Sequence, residues 1–205
     1  MQTGPDFREE HVLKGGQKIV LRHIQQSDAE ELRRGFRALS PESRYRRFFT
    51  GMADLDDAAL SYLVNVDSKD HVAIVATTES LDLKTERGVA VARFVRSEKE
   101  PTVAEAAVTV VDDMQRIGLG TLMTKTLARA AKERGVEKFR CEVLESNEIV
   151  VQALVAAGGE IALRESGTVI LDVPVQNDND NVVRRALRVI AEQVNVFLRR
   201  TMPRG

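Results

Sequence analysis

The chain has 205 residues, 43% hydrophobic and 30% charged, with a formal net charge of −1. That is the profile of one soluble domain, or one domain with a small appendage, and it argues against a dominant electrostatic partner for the whole chain. The single cysteine, Cys141, excludes an internal disulfide framework and a multi-thiolate metal site, and His11, His23 and His71 form no ligand pair at helix or strand spacing, so no metal is expected.

The start, MQTGPDFREE, carries no apolar leader, and no apolar run approaches 18 residues. The expected compartment is the cytoplasm. Three segments follow from composition: an extension over 1–16, a domain over 17–175, and a linker with a basic amphipathic helix over 176–205. The last 25 residues hold six arginines against Glu192 alone, after the polar run Gln176–Asn181.

Lys18–Arg22 reads as a short strand. Ser27-Asp28 offers an N-cap to a helix with Glu30 and Glu31 in its first turn and Leu32, Phe36 and Leu39 at helical spacing. Ser40-Pro41-Glu42 starts a second helix with Tyr45, Phe48 and Phe49 on one face. Asp54–Val64 reads as a third. Val72–Thr78, Val89–Val95 and Ala104–Val111 are β-branched and strand-like. The period then changes: Leu119, Leu122, Met123, Leu127 and Ala130 line a helix that ends at Gly135. Lys138–Leu144 is a strand and Asn147–Ala157 a helix. Ile161–Leu163 and Thr168–Val173, joined through Ser166-Gly167, form a closing hairpin. Three consecutive strands in the middle argue against a doubly wound sheet, which alternates strand and helix. In the final helix Val183, Leu187, Ile190, Val194 and Phe197 make a narrow apolar seam suited to docking or to self-association as a homodimer.

The most informative stretch is Gln115-Arg116-Ile117-Gly118-Leu119-Gly120, where a strand opens into a long helix. The first N–H groups of a helix have no intrahelical partner and carry partial positive charge. Glycines at 118 and 120 let those amides close around an anion such as a diphosphate. The loop is neither a dinucleotide fingerprint, because position 123 is Met, nor a Walker A loop, because no Gly-Lys-Ser/Thr is present.

Gln115-x-x-Gly118-x-Gly120 at a strand-to-helix junction resembles the acetyl-CoA loop of the GNAT superfamily of N-acetyltransferases. Ile19–Arg22 with Asp28 and Leu32 resembles the family's first strand and helix. Leu39–Arg44 with Arg47-Phe48-Phe49, Asp70–Ala73, Ala104–Ala107 and Leu144-x-x-Asn147 resemble the subgroup of bacterial protein lysine acetyltransferases. The resemblance spans about residues 17–173. It implies an α+β fold: a mixed, mostly antiparallel sheet flanked by helices, with splayed fourth and fifth strands.

The same resemblance implies acetyl-CoA as co-substrate. Its pantetheine arm would pair near Val110 and Val111. Its diphosphate would lie on Gln115, Arg116, Ile117, Gly118, Leu119 and Gly120, with the Thr121 hydroxyl added, and Asn147 would reach the arm. Asn147 is also a plain N-cap candidate. The implied acceptor is a primary amine, with a protein lysine foremost. A lysine amine, with a reference pKa near 10.4, needs a base before it attacks a thioester. Glu105, in the apolar run Val103–Val108, is the candidate, since an apolar strand raises a carboxyl pKa. The alternative for Glu105 is a solvent-facing strand residue sharing a face with Ala107, Thr109 and Val111. Many family members carry a tyrosine general acid on the helix after the fifth strand. Residues 147–157 have none. That keeps a second reading in view, a catalytically weak module that binds or senses acyl-CoA. Nucleic acid is an unfavoured partner, because no aromatic residues interleave the C-terminal arginines.

Overall fold

The computed structural model describes residues 2–40, 54–79 and 86–175. The helix expected from Ser40-Pro41, with Ser43, Arg44 and Arg47, and the C-terminal basic helix lie outside the described residues.

Eight strands form one sheet in the order β1-β2-β3-β4-β5-β6-β8-β7: β1 Arg8–Val12, β2 Lys18–His23, β3 His71–Glu79, β4 Glu86–Arg96, β5 Val103–Val110, β6 Lys138–Leu144, β7 Glu160–Glu165 and β8 Thr168–Pro174. Among the described residues four α-helices accompany it: α1 Ala29–Ala38, α2 Asp57–Val64, α3 Leu119–Glu133 and α4 Glu148–Ala156. Every strand pair is antiparallel except β5 with β6. The fold is thus the α+β mixed sheet expected, with one strand more at the N-terminus. The expected fourth and fifth strands are therefore β5 and β6.

That extra strand, β1, lies within the segment read as an extension. Its sequence, Arg-Glu-Glu-His-Val, has no apolar alternation because it is an edge strand whose half-buried face carries Glu9 and His11 rather than apolar residues. It pairs with β2 over five residues, and Glu9 ties it to α3 through Arg129 at 2.9 Å.

Period-two burial makes the larger core. Ile19 and Leu21 of β2, Ile74 of β3, Phe94 of β4, Val108 of β5 and Cys141 of β6 turn to one side, where Leu119, Met123 and Leu127 of α3 and Val150 and Leu154 of α4 cover them. Cys141 belongs to this core, and burial pushes its thiol up to about 12, which leaves it inert. On the other side of the sheet Ala73 and Val75 meet Ile24 and Val64, while Phe36 of α1 packs on Leu55, Leu60 and Leu63 beside α2.

The cap expected at Asp28 takes another form. A single 3-10 turn, Gln26–Asp28, precedes α1, and the Asp28 side chain makes no cap bond to that helix. Its carboxylate instead accepts from Arg22 at 2.7 and 2.8 Å and from the Gln25 amide at 2.7 Å. A carboxylate within reach of a guanidinium prefers the charge-assisted pair. The true side-chain cap is Asp56, which accepts from the Ala59 amide at 2.7 Å and starts α2. The β7–β8 hairpin turns through Ser166 and Gly167, both at positive φ (51° and 81°), as a two-residue turn between twisted strands demands.

Candidate active site

The two edges of β5 are unequal. Towards β4 it pairs from Ala104 to Val110. Towards β6 it pairs only at Val103–Lys138, Ala104–Phe139 and Glu105–Arg140. Beyond that point β6 pairs with β8 alone, so the two strands part and leave a V open at its wide end. This is the expected splay.

Alternation decides which atoms face the gap. The Val111 amide donates to Val89 O at 3.0 Å, so Val111 is committed to the β4 edge. Successive residues of a strand point to opposite edges, so the N–H and C=O of Val108 and Val110 turn to the gap. Of the two residues expected to pair with a pantetheine arm, Val110 has the right backbone direction, whereas the Val111 N–H is already in use. The Val110 carbonyl also accepts from Gln115 Nε2 at 3.3 Å.

The loop 115–120 closes the wide end of the V. After a 3-10 turn, Asp112–Met114, Gln115 bonds back to Asp112 at 3.0 Å, and Arg116 takes a left-handed φ of 64°. Gly118 follows at φ 94° as N-cap of α3, with nothing within 4 Å of where a Cβ would stand. That conformation is costly for any residue with a Cβ. Leu119, fully buried, pins the helix start into the core, and Ile117 packs half-buried beside it. The amides of Gly118, Leu119, Gly120 and Thr121 have no hydrogen-bond acceptor among the described residues, as the first turn of a helix requires. Arg116 is exposed and holds no ion pair among the described residues. Free amides, an uncommitted guanidinium and an open strand edge suit an anionic head joined to a peptide-like arm. Thr121 lies one turn in, half-buried. Asn147 stands at the N-cap of α4 but makes no side-chain cap bond. Its carbonyl accepts from Val150 and Val151, which leaves the carboxamide uncommitted among the described residues.

Glu105 stands at the apex of the V, the last β5 residue paired with β6. It is half-buried, on the face shared with Ala107, Thr109 and Val111. Its surroundings differ from the apolar setting expected. Register sets Arg140 beside it on β6 and, across β4, Val95 opposite with Arg93 on the diagonal. Arg140 is matched to Asp172 at 2.7 Å and to Glu100 at 2.6 Å, and those bonds hold its guanidinium more firmly protonated.

The same face carries a cavity of about 250 Å³ between the sheet and α1–α2, walled by Leu32, Phe36, Leu63, Val75, Val91 and Ala107. Arg93 lines it. The residue is 6% exposed, and burial lowers its pKa to about 10. It donates to His71 Nε2 at 3.1 Å and to Leu63 O at 3.1 Å. His71 is held down to about 4, first by burial and then by the Arg93 charge, with Asp67 opposing. It is therefore neutral at pH 7 and can accept from Arg93. Tyr62 lies against its ring, centroids 5.0 Å apart. Arg93 went unflagged in the sequence, although it interrupts Val89–Val95 just as Glu105 interrupts Val103–Val108.

The GNAT acetyltransferase family model matches residues 28–159, and the chain belongs to that family. It is 32% identical over 163 residues to the acetyltransferase Pat of Mycolicibacterium smegmatis, covering 80% of this chain and 47% of the relative. The chain thus spans about half the length of that relative. The acetyltransferase PA5475 of Pseudomonas aeruginosa is 30% identical over 128 residues, covering 62% of this chain and 67% of the relative. Among solved structures, the GNAT domain of S. lividans PAT superposes with a TM-score of 0.71 at 27% identity, covering 82% of this chain and 96% of that one. The structure of yncA from Salmonella typhimurium with its cofactor acetyl-CoA shares the fold at a TM-score of 0.57 and 13% identity, covering 79% of this chain and 96% of that one. Among the described residues no helix is long and apolar enough to cross a membrane.

Proposed function

We propose that the protein transfers an acetyl group from acetyl-CoA to a primary amine, with a protein lysine as the acceptor. The observation that carries this reading is the one-sided pairing of β5, whose open edge runs into the unpaired amides of 118–121. An extended pantetheine arm can add to such an edge as a short strand would, through Val108 and Val110. The diphosphate then meets the start of α3, where amides and helix dipole favour negative charge, with Arg116 free to approach. Asn147 flanks the same opening. The lysine acceptor rests on the likeness of residues 39–49 to the protein lysine acetyltransferases and on the relatives named Pat and PAT.

In this reading Glu105, at the apex, takes the proton as the amine nitrogen attacks the thioester carbonyl. The C–N bond forms, the tetrahedral intermediate collapses, the C–S bond breaks, and the thiolate is protonated by water. No phenol stands on α4 to serve as general acid, and Tyr62 is engaged with His71 on the α2 side of the sheet. That absence favours, as the second reading, an acyl-CoA-binding module without turnover. Free CoA release, measured with acetyl-CoA and lysine-bearing proteins, separates the two. Acceptor-dependent release supports the transferase. Tight acetyl-CoA binding with release no faster than spontaneous hydrolysis, across protein lysines and small amines, supports the module.

A further inference from the structure

We propose that Asp172 and Glu100 are positioning residues for the transfer reaction: by holding Arg140 between them they keep its charge from Glu105. Their role rests on the reading of Glu105 as the base, and it accounts for a base set in charged rather than apolar surroundings.

Register lines these groups up. One row of paired residues crosses the sheet: His71 on β3, Val95 on β4, Glu105 on β5, Arg140 on β6, Asp172 on β8 and Glu160 on β7. Paired residues of neighbouring strands share a face, so Arg140 is the cation set beside Glu105. A guanidinium there favours a charge-assisted pair that holds the carboxylate ionised, which makes it a poor proton acceptor.

Arg140 is engaged elsewhere. Its Nε and Nη2 donate to the two oxygens of Asp172, each at 2.7 Å. Its Nη1 and Nη2 donate to the two oxygens of Glu100 at 2.6 and 3.5 Å. Four of the five N–H donors of the guanidinium are thus taken by two carboxylates. One cation between two anions leaves excess negative charge next to Glu105, and like charge favours the protonated carboxyl. The Asp172 side chain is 15% exposed and that of Glu100 50%, so water screens Asp172 less and its share is the larger.

The other described groups around Glu105 do not replace this cluster. Arg93, on the diagonal across β4, bonds His71 Nε2 and the Leu63 carbonyl. His71, in the same row, is neutral at pH 7, with Tyr62 of α2 against its ring. Lys138 and Glu142 flank Arg140 on β6 with opposite signs, as Glu98 and Lys99 do in the β4–β5 turn. Arg96 pairs with Ala104 and so lies on the opposite face, and Val103 and Ala107 are the neighbours of Glu105 on β5 itself.

The test is an NMR titration of the Glu105 carboxyl in the full chain, made with isotope-labelled glutamate and assigned by the signal lost in Glu105→Gln. Asp172→Asn keeps the shape, removes the anion and frees Arg140. The Glu105 midpoint should fall by about 0.5–1 pH unit, the size expected of one charge about 10 Å away, two strand spacings, in a half-exposed site. Glu100→Gln should shift it the same way by less. Arg140→Gln removes the cation and should shift it upward, a reversal of sign that a merely structural role does not produce. An unmoved midpoint in Asp172→Asn, or shifts of one sign in Asp172→Asn and Arg140→Gln, would overturn the proposal. If Asp172→Asn fails to fold, Glu100→Gln, on the exposed turn, decides in its place. The acidic limb of kcat, measured with acetyl-CoA and poly-L-lysine, should follow the midpoint, and a limb that stays put while the midpoint moves would overturn the role in transfer. Full turnover in Glu105→Gln would overturn the base reading itself, a failure distinct from an unmoved titration.

Discussion

The two edges of β5 are built from one backbone and end in opposite states. Its β4 edge is a continuous ladder from Ala104 to Val110, whereas its β6 edge stops after Glu105. A ladder satisfies its own hydrogen bonds and has nothing left to offer a ligand. An interrupted ladder leaves backbone groups facing a gap instead of a partner strand, and the fold places that interruption beside a helix N-terminus. In the function proposed above, recognition resides less in side chains than in where pairing stops.

The sharpest way to break this comparison is at the apex. Glu105→Gln keeps size and hydrogen bonding but removes the proton acceptor. The catalytic step should fall by about 10²–10⁴, the range for a positioned acid–base group, with acetyl-CoA affinity close to wild type. Single-turnover kinetics beside calorimetry check this. Full activity in the variant would make Glu105 a bystander, and joint loss of binding and folding would make it structural.

The closed edge should answer differently. Phe94 of β4 is fully buried and meets Phe139 with ring centroids 6.3 Å apart. Phe94→Ala should cost about 3–5 kcal/mol of stability in denaturant unfolding, the usual cost of truncating a core aromatic. Where the variant is still folded, acetyl-CoA affinity should be little changed.

At the open edge, Gly118→Glu adds a Cβ at φ 94° and a negative charge at the unpaired amides. The backbone strain is about 1–2 kcal/mol, tolerable in a surface turn. Acetyl-CoA affinity should fall by up to about thirtyfold, since one charge–dipole contact of this kind is worth up to about 2 kcal/mol. Unchanged calorimetric affinity would show that the loop is only a packing turn.

The smallest effect concerns pH. His71 is held down to about 4 in the fold, against an unfolded value near 6.5. Between those values the unfolded chain binds a proton that the folded chain refuses, so this residue's contribution to stability falls as pH drops from about 6.5 to about 4. His71→Gln removes that dependence. Thermal midpoints across pH 4–7 should therefore show the variant gaining on wild type as pH falls, and parallel curves would place the histidine outside the buried network with Arg93.

Much of this was legible in the sequence because it is local. The strand Lys138–Leu144, the helix starting at Leu119, the turn at Ser166-Gly167 and the anion-ready loop all depend on spacing within a few residues. β1 was not legible, because its half-buried face carries Glu9 and His11, and Glu9 is held by an ion pair to Arg129, so the strand has no hydrophobic period. Asp28 looked like a cap because nothing in the local pattern shows that Arg22, only six residues back at the end of β2, reaches its carboxylate. Glu105 looked like a carboxyl in apolar surroundings because a strand's own residues say nothing of what lies across the ladder. Register alone brought Arg140 and Arg93 to its side.

By itself the sequence determined the order of the described elements from β2 onward, the buried face of the central strands and the glycine loop that opens α3, since propensity, periodicity and turn geometry act over short stretches of chain. Tertiary structure alone decided where β5 and β6 part, which of Val110 and Val111 faces the gap, and that Arg93 is buried against His71 and the Leu63 carbonyl. Each of those depends on pairing between residues far apart in the chain, and a hydrogen-bond ladder has no signature until its partner strand is in place.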